Sequence, residues 1–92
     1  LSEFKEFQKF VFDCPQYDDP ALGLPGEVGE VLELVKKDRR QGDRRKPIDI
    51  EKLTLEIYDV LFYAVQLSSL YEIKLDDIIV AGNKKLTKRH DL

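Results

Sequence analysis

The sequence predicts an all-α fold, a four-helix bundle whose core is completed by homo-oligomerisation. Three observations point there. Apolar residues recur at helical spacing, as in Phe4, Phe7 and Val11 at i, i+3 and i+7. Proline, glycine and aspartate break the pattern at Cys14-Pro15, around Gly42 and before Asp76. Finally, 92 residues make one domain, residues 1–92, and so short a chain buries a smaller fraction of its surface than a longer one.

The first helix is expected from a Ser2 cap to about Asp13, with Phe10 widening its apolar face. Pro15 to Pro20 reads as a loop. The second helix is placed with Pro25 in its first turn and runs to about Arg40, because a proline deeper inside lacks an amide hydrogen that the helix needs. Its apolar stripe is Leu24, Val28, Val31, Leu32 and Val35, and Gly26 and Gly29 are assigned to close packing or ligand approach. Asp49 caps a third helix that continues to about Tyr71. Leu53, Ile57, Val60, Leu61, Ala64 and Leu67 form its main stripe, while Leu55, Tyr58, Phe62 and Val65 occupy much of the other side. A helix apolar on two faces leaves a patch for a partner chain to cover, which predicts a homodimer or homotetramer. Asp76 or Asp77 starts a fourth helix, in which Gly82 marks a close helix contact.

The composition, 42% hydrophobic and 36% charged, is that of a globular domain, and no apolar run reaches the roughly 20 residues that span a bilayer. No signal-peptide pattern opens the chain, so a cytoplasmic protein is expected. There is no methionine, so residues are expected to be missing from one or both ends. Cys14 stands alone and reads as a packed thiol. The net charge of −3 argues against nucleic acid as the partner. Lys36 to Lys46 nevertheless holds seven basic and two acidic residues around Gln41-Gly42. It reads as a solvated connection whose basic start complements the helix C-terminus; the alternative is that one or two of Lys36, Lys37, Arg39 and Arg40 contact phosphates of a substrate.

The chemistry centres on two carboxylate pairs, Glu27 and Glu30 in the second helix and Glu56 and Asp59 in the third. At ~100° per residue from stripe centres at Val28 and Ile57, both pairs fall at the same offsets, roughly −100° and −160°. Two helices packed by those stripes could point all four into one space. Converging like charges repel, and a divalent cation removes that cost. An oxygen-only, anionic site suits Mg²⁺ or Mn²⁺, and Mg²⁺ commonly completes its shell with substrate phosphates. Glu33 falls on the other side of the stripe and reads as a surface charge.

Glu27-x-x-Glu30, then 25 residues, then Glu56-x-x-Asp59 resembles the E-x-x-E…E-x-x-D signature of the MazG-like, all-α nucleoside triphosphate pyrophosphohydrolases. Gly23-Leu24-Pro25-Gly26-Glu27 looks like that family's entry to the first motif, and Asp59-Val60-Leu61-Phe62-Tyr63 like the continuation of its second. Lys85-Leu86 through Arg89 resembles its K-L-x-x-R. Two positions depart: Tyr58 stands where relatives commonly carry glycine, and Gly82 stands where they carry asparagine, with Asn83 one place later.

The resemblance implies a MazG-like bundle that hydrolyses nucleoside triphosphates between the α and β phosphates, releasing nucleoside monophosphate and pyrophosphate in nucleotide-pool house-cleaning. It assigns Glu27, Glu30, Glu56 and Asp59 to Mg²⁺; one carboxylate of the four accepts the water proton, and Glu30 is taken for that role although the sequence does not separate ligand from base. Lys37, Lys85 and Arg89 become the phosphate contacts. A different class of reading is a catalytically silent helical dimerisation module that binds a nucleotide or a partner protein; lost carboxylates would signal it, and all four are present. A third, a basic-loop adaptor for DNA or RNA, conflicts with the charge balance.

Overall fold

In a computed structural model the described residues are 2–15, 19–40 and 47–90, with the side chains of Ser2, Arg39 and Arg40 excepted. They form four α-helices and no strand: α1 (Ser2–Asp13), α2 (Pro20–Arg40), α3 (Ile50–Leu70) and α4 (Leu75–His90). The expected Ser2 cap, the turn at Gly42 and the basic run from Gln41 to Lys46 lie outside the described residues. No described helix is long and apolar enough to cross a membrane. The chain groups into two compact units, one of Leu1–Pro15 with Val65–Leu92, the other of Gln16–Ala64.

In the first unit α1 packs on α4. Val11 (1% exposed) and Val65 (4%) are its buried apolar side chains. Gln8 on α1 receives the Leu75 amide on its side-chain Oε1, so a residue of α1 satisfies one of the four orphan donors that open α4. Asp76 and Asp77 stand in that first turn, where the helix dipole favours them. Helix α3 ends in a Schellman motif: the Ile73 amide donates to Ser68 O at 3.0 Å and the Glu72 amide to Ser69 O at 3.1 Å. Glu72 takes the left-handed conformation, φ 56°, that glycine usually fills. Gly82 has no atom within 4 Å of a Cβ built on it, so the close contact expected there is not made among the described residues.

The second unit holds α2 and the first four turns of α3. Asp49 caps α3 as expected, accepting the Lys52 amide on Oδ1 at 3.0 Å. Helix α2 starts five residues before the expected position. Asp19 accepts the Ala21 amide on Oδ1 at 2.9 Å, and Pro20 occupies the first helical position, where its missing N–H costs nothing. Pro25 therefore lies inside the helix. The bond it forfeits is the one to Ala21 O, and Ala21 is exposed, so water can serve that carbonyl. This early cap and the exposed carbonyl outweigh the proline penalty.

Both helices are also rotated from their predicted stripes. On α2 the half-buried positions include Leu24, Glu27, Val31, Leu34 and Val35, whereas Val28 is 37% and Leu32 60% exposed. On α3 Leu53, Glu56, Val60, Tyr63 and Leu67 are half-buried, while Ile57 and Leu61 are 44% and 52% exposed. Each helix is apolar on more than one face, so the centre of its apolar residues does not coincide with the face that packs. The carboxylates consequently lie in the α2–α3 seam rather than on its flank.

Candidate metal and phosphate site

Gly23 meets the Tyr63 ring, Glu27 lies against Asp59, and Glu30 lies against Glu56. As the position on α2 advances the partner on α3 retreats, which makes the two helices an antiparallel pair. Glu27 and Glu30 are three residues apart, as are Glu56 and Asp59, so both pairs face the same seam. A Cβ built on Gly23 would stand 2.7 Å from Cε1 and 2.9 Å from Cζ of Tyr63. Only glycine allows the helices to approach this closely at that end.

One carboxylate oxygen each from Glu27, Glu30 and Glu56 lies within 4.8 Å of the others. Asp59 is outside that trio but adjoins Glu27, and its charge acts on both Glu27 and Glu56. Oε2 of Glu27 and Oε2 of Glu56 are shut off from solvent with no hydrogen-bond donor among the described residues. Ionised carboxylates only accept, so each of these contacts needs either a shared proton or a cation. The electrostatics agree. Partial burial, then the charges of Glu30 and Asp59, hold the Glu27 carboxyl above its ordinary 4.5. Glu56 is raised as well, first by the hydrogen it would share with Glu30, then by loss of solvent, then by the charges of Glu30, Asp59 and Glu27. A converging set of oxygens, two of them orphaned, fits a hard divalent cation.

Beyond Glu30 and Glu56 the seam opens into a cavity of about 270 Å³ lined by Glu30, Glu33, Leu34, Lys37, Lys52 and Glu56. Lys37, expected as a phosphate contact, is therefore beside the carboxylates. Glu33 is exposed, as expected of a surface charge, yet it also lines this cavity. Lys52 was not singled out in the sequence, although its position one helical turn before Glu56 was a usable signal. In the first unit, Lys85 lines an apolar groove of about 520 Å³ with Ile73, Asp77, Ile78, Ala81 and Gly82, and Arg89 is exposed in the last turn of α4. Tyr58 is 38% exposed, its ring centroid 6.3 Å from that of Phe62.

Fold and cluster together define a helical protein with an acidic, oxygen-only site between antiparallel helices. Residues 19–92 match the MazG nucleotide pyrophosphohydrolase domain, and the chain belongs to the MazG family. Comparisons with curated proteins and with solved structures gave no match.

Proposed function

We propose that the chain hydrolyses nucleoside triphosphates to nucleoside monophosphate and pyrophosphate, acting on surplus or non-standard nucleotides, with Mg²⁺ (or Mn²⁺) as cofactor. The observation that carries this reading is the trio of carboxylate oxygens within 4.8 Å, two of whose residues hold an orphaned oxygen, in a MazG domain.

Glu27, Glu30, Glu56 and Asp59 would hold the cation. When bound it supplies neutralisation of phosphate charge and acidification of water. The chain's own residues do the rest. Glu30 is the most solvent-accessible of the trio, so it is the carboxylate that can meet an incoming water and accept its proton as that oxygen attacks the α-phosphorus. The bond from the α-phosphorus to the bridging oxygen breaks, and its electron pair leaves with pyrophosphate. Lys37 binds phosphate oxygens from the adjoining cavity, and Lys85 and Arg89 contribute further phosphate contacts. Carried on two packed helices, the carboxylates and Lys37 need little rearrangement to meet substrate, which lowers the entropy cost of the reaction.

The active species is a homo-oligomer, most simply a two-fold dimer. Leu22 (78% exposed), Leu32, Leu55 (61%) and Leu61 leave apolar surface on both α2 and α3, and few apolar side chains are buried among the described residues. A silent binding module is disfavoured by the retention of all four carboxylates.

A panel of nucleoside and deoxynucleoside triphosphates, assayed with and without Mg²⁺ and with pyrophosphate resolved from orthophosphate, tests the function. Mg²⁺-dependent pyrophosphate release that disappears in Glu56→Gln is the expected result. Orthophosphate release, or no turnover of any substrate by a folded oligomer, would refute it.

A further inference from the structure

Lys52 has no assigned role, yet its side chain lines the same cavity as Lys37, Glu30 and Glu56. Asp49 fixes its backbone by accepting its amide, so Lys52 leaves the first turn of α3 in a defined direction. Lys37 and Lys52 come from facing helices, and each stands about two turns or fewer from a carboxylate of the cluster on its own helix. The seam is thus ordered along its length. Gly23 and Tyr63 close one end, the carboxylates occupy the middle, and two ammonium groups flank the open end beyond Glu30 and Glu56.

A group that spans the carboxylate cluster and the lysines must satisfy both. It has to share a divalent cation with Glu30 and Glu56, and it has to carry anionic oxygens several ångströms further on. A diphosphate does both, because successive phosphoryl groups present oxygens to a cation and to neighbouring ammonium groups at once. We propose that Lys52, together with Lys37, binds the pyrophosphoryl end of the substrate in this cavity. The nucleoside then extends from the carboxylates away from the two lysines. Glu33 narrows the same cavity with a negative charge, which leaves the two lysines to offset it. The inference rests on the pyrophosphohydrolase reading and adds both a residue and a direction for the substrate.

The test is calorimetric titration of the full chain with pyrophosphate, and separately with a nucleoside monophosphate, in saturating Mg²⁺. Wild type, Lys52→Gln and Lys52→Arg are compared, with far-UV dichroism as the check on folding; Lys52 is exposed, so both variants should fold. Lys52→Gln should weaken pyrophosphate binding by about tenfold, the equivalent of one charge-assisted hydrogen bond, and Lys52→Arg should restore most of it. Monophosphate binding should move less than about twofold. In the hydrolysis assay the same variant should raise KM more than it lowers kcat. Pyrophosphate binding unchanged in Lys52→Gln, or absent in wild type, would overturn the proposal. So would equal weakening of both ligands, which would mark Lys52 as a general support of the helix. Hydrolysis without any dependence on Lys52 would sink this inference and leave the function standing. Lys52-dependent pyrophosphate binding in a protein that hydrolyses no nucleotide would do the reverse.

Discussion

Gly23 and Tyr63 are in contact so close that a single methyl group on Gly23 would fall 2.7 Å from the ring carbon Cε1. The contact lies at one end of the seam that Glu27, Glu30, Glu56 and Asp59 share. It sets the separation of the two helices before any carboxylate is considered. Among the described residues beyond their own helix, Gly26 and Gly29 have nothing within 4 Å of a built Cβ, so the packing role expected for them falls instead on Gly23.

Gly23→Ala should therefore cost about 1–3 kcal/mol, the usual range for forcing extra volume into a packed contact. The Tyr63 ring is stiff and cannot move aside as a flexible side-chain end would. Urea unfolding in EDTA gives the stability term. Repeating it with Mg²⁺ should show a smaller metal-induced stabilisation than in wild type, because the helices would be held further apart.

The carboxylates make the metal-free protein sensitive to pH in a definite direction. Glu27 and Glu56 hold their protons above 4.5 in the folded state, whereas an unfolded glutamate releases its proton near that value. The stability they confer is therefore complete below 4.5 and lost as pH rises through the raised folded values. In EDTA, Glu27→Gln should become the more stable protein as pH approaches 7, and its advantage should vanish near pH 4.5. Saturating Mg²⁺ at pH 7 should invert the order, since only the wild type retains the full ligand set. Parallel pH dependence in both proteins would count against repulsion in the seam.

These behaviours were only partly legible in the sequence. The spacing of Glu27, Glu30, Glu56 and Asp59 gave their convergence, because i,i+3 pairs on two helices must each share a face. Asp49 as a cap was equally local. The rotation of α2 and α3 was not legible: Leu32 and Leu61 are as apolar as Val31 and Val60, and nothing within one helix tells which of them packs inside the chain. Pro25 misled because its helix penalty is visible in sequence, whereas the early Asp19 cap and the solvent at Ala21 O are visible only in the fold. The capping of α4 by Gln8 joins residues 67 positions apart, beyond the reach of any local signal.

Glu72 offers an independent check on the fold. It holds a left-handed conformation at the end of α3, φ 56°, at some cost to a residue with a Cβ. Glu72→Gly should stabilise the protein by about 0.5–1 kcal/mol, against the ordinary destabilising effect of glycine. Thermal unfolding measures it. A loss of stability would mean that α3 does not end in this Schellman motif.

Association should depend on the apolar face of α3. Leu55 is 61% exposed in the single chain, and Leu55→Glu should convert a homo-oligomer to single chains with a loss of several kcal/mol in apparent stability at micromolar concentration. Sedimentation equilibrium reads the mass directly. An unchanged oligomer would place the interface elsewhere.

The position of bond cleavage is decided most directly by hydrolysis in ¹⁸O-labelled water with Mg²⁺ present, followed by mass spectrometry of both products. Attack at the α-phosphorus predicts one heavy oxygen in the nucleoside monophosphate and none in the pyrophosphate. Label in pyrophosphate or in orthophosphate would place the attack at another phosphorus and contradict the account.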